Sequence, residues 1–141
     1  MTDIAEYEFD QIGIGLKKEF TIKITESMIA DFAKISGDYN PLHMDETYAK
    51  STTFKKRICY GMLLAAFFSR LVGMYLPGKH ALYFSQSLNF QNPCFVNDTI
   101  TIKGEVIDKS IATYLITIKT SIYNQERRCL LDGIAKVVVR K

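Results

Sequence analysis

Residues 58–76 read ICYGMLLAAFFSRLVGMYL. Apolar side chains fall on nearly every face of a helix here. The spacing predicts one helix over 60–75, apolar enough that protein must surround it. Ser69 and Arg70 interrupt the run near its middle. A central arginine is costly in lipid, so the stretch reads as a buried helix and not a membrane span. Pro77 and Gly78 end it.

Past this helix the hydrophobic period changes to two. Leu82, Phe84, Gln86, Leu88 and Phe90 alternate with Tyr83, Ser85, Ser87 and Asn89. Further alternating runs start at Ile100, Leu115 and Leu131, with turn residues at Asn97-Asp98, 108–110 and 124–127. Ahead of the helix, residues 16–23 read as a strand. Thr25 is a good helix N-cap, and Ile29, Phe32, Ala33 and Ser36 then share one helical face. Gly37 suits the C′ position. Residues 38–44 read as a loop, and Asp45 as the cap of a short helix over 46–51. One early strand and four late ones accompany a single long apolar helix. That segregation argues an α+β fold with a largely antiparallel sheet. A long apolar helix needs a sheet that curves round it, which is the hotdog arrangement.

The chain has 141 residues, 48% of them hydrophobic and 23% charged, as expected of one globular domain spanning 1–141. Eighteen Lys+Arg against fifteen Asp+Glu give +3. That balance lacks the concentrated basic stripe of a nucleic-acid binder but suits an anionic ligand. Cys59, Cys94 and Cys129 form no C-x-x-C pair and lie among apolar residues, so reduced, mostly buried thiols are expected. The first ten residues, MTDIAEYEFD, lack the basic start and apolar run of a signal peptide. A cytoplasmic location is expected, with no membrane and no nucleic acid as partner.

The candidate chemistry lies between the first two helices. Asp38 and His43 bracket Tyr39-Asn40-Pro41-Leu42. A carboxylate and an imidazole on one rigid loop can share proton transfers with a substrate or water, and Asn40-Pro41 would fix the loop's curvature. The same residues also suit plainer roles. An aspartate after a helix-ending glycine is often a turn residue, and a lone histidine is often a satisfied structural group. Asp38, His43 and Asp45 lack the second histidine or cysteine of a familiar metal set, so no metal is expected. Tyr60-Gly61-Met62 opens the apolar helix. The free N–H of Gly61 at that positive end could receive a carbonyl oxygen gaining charge; equally, Gly61 could allow close helix–sheet packing. Lys55-Lys56-Arg57 reads as a solvated loop, or as a contact for ligand phosphates.

The stretch FAKISGDYNPLHMDETYAK (32–50) resembles the hydratase-2 motif of the MaoC-like, (R)-specific enoyl-CoA hydratases. GMLLAAFFSRLVGMYLPGK (61–79) and LYFSQSLNFQNPCFVNDTI (82–100) resemble the short single-hotdog bacterial members. The resemblance implies a hotdog homodimer in fatty-acid metabolism, acting on an acyl-CoA thioester. It implies reversible syn hydration of a trans-2-enoyl-CoA to an (R)-3-hydroxyacyl-CoA, with no cofactor. By motif, Asp38 and His43 become the catalytic pair, Gly61 the carbonyl-binding amide, and Asn40, Ser69 and Tyr60 supporting residues. Apolar helix residues such as Leu71 and Val72 would shape an acyl pocket. Members of this family commonly carry histidine where this chain has Tyr60, which still offers a hydrogen-bond donor. The alternatives are a hotdog acyl-CoA thioesterase, for which the Asp38–His43 loop is a poor match, and a non-catalytic acyl-CoA-binding module. The hydratase reading expects Asp38 and His43 to face one small wet cavity at the end of the apolar helix.

Overall fold

The computed structural model describes residues 3–141. Met1 and Thr2, part of the stretch read for a signal peptide, lie outside them. After a short 3-10 turn at Phe9–Gln11, the chain forms β1 (Lys17–Lys23), α1 (Glu26–Ser36), α2 (Pro41–Met44), α3 (Glu46–Lys50) and α4 (Gly61–Arg70). One turn of π-helix, Leu71–Tyr75, extends α4. The strands β2 (Ala81–Gln86), β3 (Asn89–Phe90), β4 (Thr99–Ser110), β5 (Leu115–Tyr123) and β6 (Cys129–Val139) follow.

The local chemistry explains the early elements. Thr25 accepts the Met28 N–H at 3.2 Å and starts α1. Gly37 stops it in the left-handed region at φ 76°, its N–H bonded to the Ala33 carbonyl. Residues 41–44 were expected as loop, yet they form a helical turn. Pro41 occupies its first turn, where no N–H is needed, and Asn40 caps it by accepting the Leu42 N–H at 3.0 Å. Asp45 caps α3 through the Tyr48 N–H.

The strands form one antiparallel sheet in the order β1-β4-β5-β6-β2, with β3 also paired to β6. Alternation in β4, β5 and β6 turns Ile100, Ile102, Ile118, Ile122, Leu131 and Ala135 inward, all fully buried. Leu63, Leu64, Phe68 and Leu71 meet part of this face from the helix, in a core shared with Ile29 and Ala33 of α1. The alternating run expected over 82–90 breaks between β2 and β3. There the Ser87 carbonyl presses on β6 so closely that a Cβ at Gly133 would lie 1.8 Å from its oxygen. Only glycine fits at that crossing.

The architecture is the expected α+β hotdog, an antiparallel sheet with the apolar helix packed against it. In the single chain Met62, Ala66, Ser69 and Arg70 form an exposed strip along α4. β2 lies at the sheet edge, with Leu82 56% and Phe84 71% exposed. Among the described residues, no helix is long and apolar enough to cross a membrane.

Candidate functional site

The segment between α1 and α4 is built from short side-chain caps. Ser36 Oγ donates to the Phe32 carbonyl and accepts the Asp38 N–H. Asp38 Oδ1 accepts the Asn40 N–H at 3.0 Å, and Asn40 in turn caps α2. Each polar residue bonds the backbone two positions on, which is how Asx and Ser turns set a curve. The shape of the loop is therefore written locally.

His43, on α2, is half-buried. Its Nδ1 lies 2.8 Å from the Ile58 carbonyl oxygen. A carbonyl can only accept, so Nδ1 carries the proton, and in the neutral ring Nε2 keeps a free lone pair. Ile58 returns its own N–H to the Leu42 carbonyl, which holds the two segments in register.

Tyr60 lies between the two candidate catalytic residues and is 2% exposed. Its hydroxyl donates to the Asp38 carbonyl at 2.5 Å and touches Met44 Sδ at 3.3 Å. Its ring lies 4.0 Å from the His43 ring, centroid to centroid, and 4.7 Å from Phe32. Burial, and then the Asp38 charge, push the phenol above its usual pKa, so at neutral pH it remains a donor.

Arg57 corrects the reading of 55–57 as a solvated run. It is buried and pairs with Glu26 and Glu46, the first residues of α1 and α3. The Glu26 hydrogen bond is the largest influence raising its already high pKa. One guanidinium thus joins both helices to the segment before α4 whose Ile58 carbonyl holds His43. Lys55 and Lys56 remain exposed.

His43 and Gly61 line one cavity of about 440 Å³, together with Phe54, Met62, Phe90 and Cys94. Most of the lining is apolar. Gly61 is the first residue of α4, and no side chain caps that end, so the first amides point outward without a side-chain acceptor. A Cβ on Gly61 would lie 2.6 Å from the Phe90 ring. A hydrogen bond with Cys59, and then burial, raise the pKa of the Cys94 thiol, which disfavours its thiolate, and the side chain is almost wholly buried.

Other expected residues fall elsewhere. Asp38 is exposed and does not line the cavity in the single chain; Tyr60 connects it to His43. Ser69 is exposed on the open strip of α4. Leu71 and Val72 do not form an acyl pocket here. They are 0% and 1% exposed, packed into the core because the helix turns them toward the sheet. Among the described residues, no three His, Cys, Asp or Glu side chains converge as a metal site. Phe90 and the Ile58 carbonyl were not foreseen. Phe90 sat in a strand pattern that says nothing of which helix end it meets, and a backbone acceptor leaves no sequence signal.

Comparison with known proteins gives a consistent picture. The MaoC like domain matches residues 8–125. The (R)-specific enoyl-CoA hydratase of Aeromonas caviae is 41% identical over 128 residues, covering 88% of this chain and 92% of that protein. The structure of R-hydratase PhaJ1 from Pseudomonas aeruginosa, unliganded, superposes with TM-score 0.93 at 33% identity, covering 98% of this chain and 88% of that one. An (R)-hydratase structure from A. caviae gives TM-score 0.89 at 38% identity, covering 91% and 97%.

Proposed function

The chain belongs to the MaoC-like family, and from that premise we propose that it is a hydro-lyase converting trans-2-enoyl-CoA and water reversibly into (R)-3-hydroxyacyl-CoA. The observation that carries this reading is the sharing of one largely apolar cavity by His43 and the opening amides of α4. Apolar walls suit an acyl thioester, and a histidine with a free Nε2 suits proton traffic.

In this reading the thioester carbonyl accepts the Gly61 N–H, which draws electron density from the β-carbon. Water at His43 gives up a proton as its oxygen bonds to that carbon, with Asp38, exposed in the single chain, turning its carboxylate toward the cavity to share the water and the proton. The double-bond electrons move onto the carbonyl oxygen as enolate, beside the helix N-terminus. A fixed donor at such a site contributes about 3 kcal/mol of barrier lowering. The pair then returns a proton to the α-carbon on the same face, and the enolate collapses. One water is added and no electrons are exchanged, so the chemistry calls for no redox cofactor. The bond from His43 Nδ1 to Ile58 supports a base at Nε2. Asn40 keeps the loop curved. Lys55 and Lys56, exposed directly after the cavity residue Phe54, suit the phosphates of coenzyme A.

The partner in this reading is a second copy of the chain. An exposed apolar edge strand, β2, and an open strip on α4 are what pairing would cover.

The test is loss of the enoyl chromophore on adding trans-2-butenoyl-CoA, with chiral analysis of the alcohol. Asp38→Asn and His43→Gln should each lower kcat by about a hundredfold or more. Full activity in both variants, or the (S) product, removes the mechanism. Release of free CoA thiol would favour a thioesterase instead.

A further inference from the structure

Phe90 occupies a place that the hydration chemistry alone does not explain. Its backbone lies on β3, opposite Leu131 of β6. The side-chain amides of its neighbours, Asn89 and Gln91, both donate to the Asp132 carboxylate, at 3.1 and 3.4 Å. The strand is thus fastened on either side of Phe90. The ring itself leaves the sheet, is 56% exposed, and lies against Gly61.

The space between them is smaller than one carbon. A Cβ built on Gly61 would sit 2.6 and 2.7 Å from the ring's Cε1 and Cδ1, inside any ordinary contact. Gly61 and Phe90 line the same cavity, so a carbonyl oxygen that accepts the Gly61 N–H would have this ring beside it. The substrate's α-carbon is bonded directly to that carbonyl carbon. In a conjugated enoyl thioester an α-substituent lies in the plane of the double bond, so it widens the group that must enter beside the ring.

We infer that Phe90 is a specificity-determining residue: it admits enoyl thioesters unbranched at the α-carbon and rejects those bearing an α-methyl group. The inference rests on the hydration reading of the same cavity and adds a substrate class to it.

The experiment compares trans-2-butenoyl-CoA with trans-2-methyl-2-butenoyl-CoA in the wild type, Phe90→Leu and Phe90→Ala. The readout is the ratio of kcat/KM for the two substrates within each protein, which cancels any general loss of activity. The inherently lower reactivity of the branched substrate cancels when ratios are compared between proteins. Rejection of one methyl group by a pocket wall is worth about tenfold to two-hundredfold. Phe90→Ala should therefore narrow the ratio by at least about tenfold, with Phe90→Leu between. If the branched thioester turns over too slowly to follow, its Ki as a competitive inhibitor gives the same comparison, tightening in Phe90→Ala. An unchanged ratio or Ki in both variants overturns the inference while leaving hydration intact. No hydration of the unbranched substrate by the wild type would overturn the hydration reading itself.

Discussion

Removing one oxygen from Tyr60 separates its two attachments. Tyr60→Phe keeps the ring against His43 and deletes the hydroxyl that donates to the Asp38 carbonyl. The donor is buried, but the acceptor belongs to an exposed residue, so water can take over the carbonyl. The stability loss should then sit at the middle of the range for one hydrogen bond, about 1 kcal/mol. The catalytic loss follows a different route. Without the tether, the Asp38 loop loses its link to the residue stacked on His43, and kcat should fall about fivefold, equivalent to about 1 kcal/mol of transition-state energy. KM should move less than twofold, because nothing that lines the cavity is removed. Urea melts give the stability, and initial rates of enoyl-CoA hydration well below the melting temperature give kcat. The stability gap has a pH signature. The folded phenol's pKa is raised, so its contribution is complete below the unfolded value of about 10 and is lost as pH rises through the folded one. The gap between wild type and Tyr60→Phe should hold at neutral pH and shrink only in strong alkali. A variant with wild-type kcat, or a loss found only in KM, would refute the positioning argument.

Three further outcomes are expected. Arg57→Met should lower stability by about 2 kcal/mol in denaturant melts, since two charge-assisted bonds are lost but Glu26 and Glu46, largely exposed, regain water; no change would mean that the pairs are ornamental. In the native protein near pH 8 a thiol reagent should label Cys129 before Cys59 or Cys94, and all three in denaturant; rapid native labelling of Cys94 would contradict its burial. Light scattering should give twice the chain mass for the wild type, and Phe84→Lys on the exposed edge strand should shift it toward one; a monomeric wild type would remove the dimer.

What the sequence made legible follows the range of the forces involved. Thr25, Gly37 and Asp45 were readable because capping acts over three or four residues. The β4–β6 strands were readable from their alternation. Pro41, which reads as fixing a loop's curvature, suits a helix's first turn equally well behind an Asn cap, and its residue type alone does not choose between the two. Arg57 was misread because its partners lie 31 and 11 residues away, and only the fold brings three charges together. Asp38 and His43 stood out as a pair, but the phenol that links them depends on where α4 begins, and Phe90 over Gly61 on where β3 ends. Leu71 and Val72 could not be told from pocket residues, since an apolar helix does not declare which of its faces meets the sheet.

The Arg57 pairing has a thermodynamic consequence. The segment carrying Asp38 and His43 is moored at α1, at α3 and at the approach to α4 through one cation. Such a segment does not fray residue by residue; it opens as a unit when that mooring lets go. Moderate salt, which weakens ion pairs with exposed partners and leaves apolar packing intact, would then loosen the reaction chamber well before the sheet behind it begins to melt.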